Sequence, residues 1–170
     1  SSLANGTILT NTVNTTLENS TGSSFLINVT ENTTVLNVVA AACPGTITTD
    51  TNLTENITTA LTSQQSCVQF EANNIVLDCQ GYSMTGNGSG LGINATSRSG
   101  ITVRNCNVIN FSNNLLWTGV TNSFVNNLNA SNSTGLVISL ASSSSNNQLT
   151  NISVQGITSA TNFLTTTATN

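Results

Sequence analysis

The groups in this chain that could do chemistry are few. There are six carboxylates (Glu18, Glu31, Asp50, Glu55, Glu71, Asp78), two guanidiniums (Arg98, Arg104) and four cysteines (Cys43, Cys67, Cys79, Cys106), with no histidine or lysine. Glycoside hydrolysis needs paired carboxylates, and polysaccharide elimination uses carboxylate-held calcium beside a cation. No acid follows Asp78, which leaves Asp50, Glu55, Glu71 and Asp78 as the candidates outside the amino-terminal stretch. Without histidine, and with two arginines, the chain cannot build a His-based triad, a His/Cys zinc centre or a basic nucleic-acid face. The expectation is a protein that is not an enzyme, with no catalytic residue, no metal ligand set and no cofactor other than covalent sugar.

The cysteines are even in number, contain no CxxC pair and lie within one window from 43 to 106. Two disulfides in an oxidising compartment fit this better than a zinc frame, with buried free thiols as the alternative. Asn-X-Ser/Thr triplets start at Asn5, Asn14, Asn19, Asn28, Asn32, Asn52, Asn56, Asn87, Asn94, Asn110, Asn129, Asn132 and Asn151. With 28 Asn and 52 Ser or Thr among 170 residues, chance alone supplies about 9 such triplets, so the excess is modest. A surface with eight charged side chains needs another source of solubility. N-linked glycans would supply it, which points to an extracellular glycoprotein at the cell surface.

The elements that must carry these groups are strands. Thr, Val, Ile and Asn dominate, lysine is absent, and short apolar runs alternate with Asn, Gly and Ser. The length suits one domain, and 37% hydrophobic content is enough for a core. The longest apolar stretch, 35–43, is interrupted by Asn37 and falls far short of the roughly 20 residues that span a bilayer. The opening Ser-Ser-Leu-Ala, with no charged segment before an apolar one, reads as a secreted chain after signal removal or as a trimmed chain.

The runs repeat. Leu77, Val103, Val125 and Leu149 recur at steps of 26, 22 and 24, and a second series at Ile93, Leu116, Ile138 and Leu164 has a similar period. Two interleaved series with one period describe a solenoid whose every coil carries two or three short strands; an antiparallel sandwich is the alternative. Asn105, Asn127 and Asn151 follow the first series by two residues and would stack as an amide column at a bend. The runs 73–86 (NNIVLDCQGYSMTG) and 99–111 (SGITVRNCNVINF) resemble consecutive coils of right-handed parallel β-helix proteins. These belong to the pectate-lyase-like repeat superfamily, in the version frequent in archaeal and bacterial surface proteins. Cys43-Pro-Gly-Thr-Ile-Thr, Leu53 and Cys67 resemble the first coil of such proteins. The resemblance covers about residues 43–158. It implies an all-β fold, a right-handed parallel β-helix over 43–170, and no single activity, since the superfamily includes lyases, hydrolases, adhesins and structural shells.

In that register Cys79 aligns with Asn105, next to Cys106, so these two cysteines would pair across adjacent coils and Cys43 would pair with Cys67 within the first coil. Asp78 and Arg104 occupy equivalent positions, and a coil-to-coil ion pair is the reading preferred over a catalytic acid. Trp117 and Tyr82 could stack on a sugar or serve as core and cap residues. The sequon asparagines should face outward, Asn52, Asn56, Asn87, Asn94 and Asn110 foremost, with Asn151 held in the amide column.

Residues 1–42 lack the period and form an extended, strand-forming arm. Phe25-Leu-Ile-Asn-Val and Val35-Leu-Asn-Val-Val have the composition of strands able to complete another subunit's sheet, with Phe25, Ile27, Val35 and Val38 as the buried contacts. No capping helix is legible at either end of the solenoid, and uncapped solenoids stack. The sequence therefore reads as a structural subunit of an extracellular filament or sheath, whose partners are copies of itself and not nucleic acid or a membrane-spanning assembly. A β-helical carbohydrate-binding or adhesin module is the alternative, and a remnant polysaccharide enzyme comes third.

Overall fold

The computed structural model of the protein describes residues 8–18, 24–34, 41–156 and 164–166. The chain divides into two units, residues 1–39 and 40–170. In the first unit, β1 (Ile8–Glu18) and β2 (Ser24–Thr34) form an antiparallel hairpin paired from Ile8↔Thr34 to Glu18↔Ser24. The segment 25–29 expected to be a strand for another subunit's sheet thus pairs with β1 of its own chain. In that register Leu9, Val13, Leu17, Phe25, Ile27 and Val29 fall at odd-numbered positions, and Ile8, Leu26, Asn14, Asn28 and Asn32 at even-numbered ones. Asn5, Asn19, Val35 and Val38 lie outside the described residues.

The second unit is a parallel β-helix of about five coils. The first coil holds β3 (Gly45–Ile47), β4 (Thr51–Asn52) and β5 (Ile57–Thr58), and the second holds β6 (Ser66–Phe70), β7 (Val76–Asp78) and β8 (Ser83–Thr85). Longer strands follow: β9 (Leu91–Thr96) and β10 (Thr102–Ile109), β11 (Asn113–Thr118) and β12 (Phe124–Ser131), then β13 (Ile138–Ala141) and β14 (Gln148–Gln155), with β15 (Leu164–Thr166) opening a sixth turn. One sheet runs β3-β6-β9-β11-β13-β15. The other runs β4-β7-β10-β12-β14, with β5 and β8 joining it through β10. Every pairing in both sheets is parallel.

Stacking dictates the composition. In the second sheet Leu77, Val103, Val125 and Leu149 are strand partners, the first three fully buried and Leu149 partly so. In the first sheet the register is Ile93↔Leu115↔Ile138↔Leu164. This corrects the expected column by one residue: Leu116 pairs with Asn94 and Ser139 on the outer face, while Leu115 is buried. A shift of one residue exchanges the faces of a strand, and in a Leu-Leu pair the apolar pattern fits either register. Phe70, Ala95, Trp117 and Leu140 form the next inward row.

The bends need left-handed backbone, which L-residues adopt at a cost and Asn and Gly adopt readily. Asn105, Asn127 and Asn151 have φ of 55°, 55° and 53°, at one bend of successive coils. The bend before the second sheet uses Asn74, Gly100, Asn122 and Asn146, again all with positive φ. At Gly100 a Cβ would sit 2.2 Å from Asn74 Oδ1, so a larger residue there would have to displace the Asn74 side chain.

Candidate functional site

The densest polar constellation lies on the outer side of the second sheet, where β7 ends. Asp78 Oδ2 accepts from Arg104 Nε at 2.8 Å, while Oδ1 accepts from Asn105 Nδ2 at 3.0 Å and from the Gln80 N–H at 2.9 Å. Asp78 and Arg104 are strand partners, which places the ion pair across adjacent coils. Burial of the Asp78 carboxyl opposes ionisation; the Gln80 N–H, the Asn105 amide and the Arg104 guanidinium together outweigh it and hold the pKa below the ordinary value of 3.8. A carboxylate so held is a poor proton donor near neutral pH.

From this carboxylate an amide ladder climbs the axis. Asn127 Nδ2 donates to Asn105 Oδ1 and Asn151 Nδ2 donates to Asn127 Oδ1, both at 3.0 Å. The Asn column expected from the repeat is therefore a continuous hydrogen-bonded chain from Asp78 to Asn151. Asp78, Gln80, Gly81, Asn105 and Asn127 line a shallow depression beside it.

The other acids are dispersed. Glu71 pairs with Arg98, a second coil-to-coil ion pair that the repeat alignment did not single out. Asp50 Oδ1 accepts from the Val76 N–H at 2.9 Å, and Glu55 lies on the exposed segment between β4 and β5. Among the described residues no three of His, Cys, Asp and Glu form a group that could hold a metal ion. No helix among them is long and apolar enough to cross a membrane.

Cys43 is bonded to Cys67 and Cys79 to Cys106. The second bridge joins adjacent coils as the register required. The first also spans two coils rather than closing within the first one, since Cys67 lies on β6 of the second coil and Gly45, near Cys43, pairs with Val68.

Trp117 is fully buried in the inward row of the first sheet, and Tyr82 is partly buried against the core. Neither offers a surface platform. Among the described residues Phe124, on the second sheet, is the exposed large hydrophobic residue at 47%.

The sequons of the helix region differ in surroundings. Asn52, Asn56, Asn87, Asn132 and Asn151 are exposed, whereas Asn94, Asn110 and Asn129 are half-buried. Six of these eight (Asn52, Asn56, Asn110, Asn129, Asn132 and Asn151) lie on the second sheet or the bends within and just after it; Asn94 lies on the first.

No family model matches this chain, nor does any curated protein or solved structure.

Proposed function

We propose that this protein is a non-enzymatic structural subunit of an extracellular, N-glycosylated filament or sheath, joined by exchange of its hairpin and by addition of coils end to end. One observation carries the reading: β14 offers eight residues of strand that pair only with β12 among the described residues, while the same chain carries a separate β-hairpin in whose register six of eight apolar residues fall in one alternating set. An open strand edge is a template for another strand, and an apolar hairpin face gains by being covered. Covering Phe25 and Ile27 alone contributes about 3–6 kcal/mol before ordering costs, and the four other apolar residues of that set add to it. The scarcity of charge supports the same reading. With two basic and six acidic side chains in all, copies of the chain meet little mutual repulsion.

The test is electron microscopy of the purified full chain beside a variant lacking residues 1–40. Regular fibres from the full chain and dispersed particles from the variant are expected. Regular fibres from both would remove the hairpin from the junction, and dispersed particles from both would sink the filament reading.

A second reading rests on Phe124. Its strand partners are Thr102 and Gln148, and Arg104 and Asn126 follow on the same outer face. An exposed ring among amide, hydroxyl and guanidinium donors can stack on a pyranose, as a carbohydrate-binding adhesin module would require. Polysaccharide binding by the full chain that is lost in Phe124→Ala would favour it.

A further inference from the structure

The glycoprotein reading above leaves open which triplets carry sugar, and the coil-to-coil hydrogen bonds divide them. Attachment requires Asn Nδ2 to form a bond to the anomeric carbon of a phosphate-activated sugar donor. The anomeric C–O bond breaks, the phosphate leaves with the electron pair, and one N–H proton passes to a base of the transferase. Both the nitrogen and the hydroxyl two residues on must therefore be free to meet that enzyme, because the hydroxyl is what distinguishes the acceptor triplet.

In four triplets the nitrogen is turned toward the preceding coil. Asn87 Nδ2 donates to Leu61 O at 3.2 Å, Asn94 Nδ2 to Gln69 Oε1 at 2.7 Å, Asn110 Nδ2 to Gly86 O at 3.0 Å and Asn151 Nδ2 to Asn127 Oδ1 at 3.0 Å. Strand spacing of about 4.8 Å leaves no room for a sugar ring between such a nitrogen and the coil it faces. A fifth triplet is closed at its other end, since Thr134 Oγ1, two residues after Asn132, donates to Gly88 O at 2.7 Å. Asn110, Asn132 and Asn151 also sit in left-handed backbone, at φ of 60°, 53° and 53°, away from an extended acceptor conformation.

The remaining three are open. Asn52 is exposed on β4, and neither its amide nor the Thr54 hydroxyl is engaged. Asn56 is held by its oxygen, Oδ1 accepting from the Ser83 N–H at 2.9 Å and the Ser83 hydroxyl at 3.1 Å, so its nitrogen is left free. Asn129 buries an unpartnered Oδ1 while its Nδ2 has no bond and is not buried.

We infer that Asn52, Asn56 and Asn129 are the glycan acceptors of the helix region and that Asn87, Asn94, Asn110, Asn132 and Asn151 stay bare because the fold engages their amide or hydroxyl. This rests on the chain being N-glycosylated. All three acceptors lie on the outer side of the second sheet, Asn56 and Asn129 in one outward row through Ser83 and Asn107. The outer side of the first sheet is then free of sugar and available for lateral contact.

The experiment is intact-glycopeptide mass spectrometry of the full chain recovered from its source cells, alongside Gln69→Ala made in the same cells. Glycan mass is expected at Asn52, Asn56 and Asn129 and at none of the other five. In Gln69→Ala the sugar should also appear on Asn94, with the three open sites unchanged as the control for folding. Glycan on Asn94, Asn110 or Asn151 of the unaltered chain would overturn the inference while leaving the glycoprotein reading intact. An Asn94 still bare in Gln69→Ala would overturn the role given to the engaged amide. Bare asparagine at every triplet would overturn both.

Discussion

Replacing Asn127 tests the amide ladder and the left-handed bend at once, and two substitutions separate them. Asn127→Ala removes two side-chain hydrogen bonds, one to Asn105 and one from Asn151. Asn127 and Asn151 are exposed, so water replaces much of what is lost and each bond counts at the low end, about 0.5 kcal/mol. Alanine must also hold φ near 55°, where an L-residue other than Asn is strained by about 1–2 kcal/mol. The sum is about 2–3 kcal/mol. Asn127→Gly loses the same bonds but not the backbone conformation; its looser unfolded chain costs about 0.4–1 kcal/mol, leaving a total of about 1.5–2. The single tryptophan, Trp117, lies buried on β11 of the same coil and reports that coil's unfolding directly. Urea titration followed by its fluorescence, disulfides intact, should give midpoints in the order unaltered, Gly, Ala. At a slope of about 1–3 kcal/mol per molar, the Ala shift is on the order of 1 M. An alanine variant within error of the unaltered protein would refute both parts of the reasoning. A glycine variant less stable than the alanine one would refute the backbone part alone.

Three further outcomes follow from the geometry. The Asp78 pKa is lowered on folding, so its share of stability is present above the unfolded value of about 3.8 and is lost as the pH falls through the folded one; Asp78→Asn should flatten the acid limb of a thermal-melt profile below that pH and leave no such step. Replacing Cys79 and Cys106 together by Ala opens a 27-residue loop and should cost about 3.5 kcal/mol by chain entropy, read by chemical denaturation. Gly92→Ala would place a Cβ 2.5 Å from both Asn114 O and Val108 Cγ1 in the core, so a loss of about 1–3 kcal/mol is expected, and a neutral effect in the same titration would show that the coil can open there.

The sequence was most legible where one position repeats with one role. Leu77, Val103 and Val125 must fill the same interior site coil after coil, and Asn105, Asn127 and Asn151 must all take the same bend, so the spacing carries both the register and the turn. Legibility failed where two neighbours satisfy the same rule, as Leu115 and Leu116 do. It also failed where partners come from unlike positions: Arg98 lies beyond β9 and Glu71 beyond β6, and their pairing follows from the fold rather than from any shared motif. The hairpin was half legible. Its apolar stretches announce strands, but nothing in their own composition says that β1 and β2 pair with each other. The amide engagement that separates Asn87, Asn94, Asn110 and Asn151 from the other asparagines of such triplets has no local signature, because each hydrogen bond reaches about one coil away in sequence.

The two disulfides fasten the first coil to the second and the second to the third, and none reaches β11 or beyond. A molecule built this way is ratcheted on one side. Under tension applied between the first coil and residue 156, the outer coils would peel away singly, each releasing about 80 Å of contour length at roughly 3.5 Å per residue. Below Cys106 the loops 43–67 and 79–106 are closed by disulfides, and only the segment between Cys67 and Cys79 is left to extend. The disulfides thus divide the helix into a short-leashed first half and a second half that extends to its full contour length.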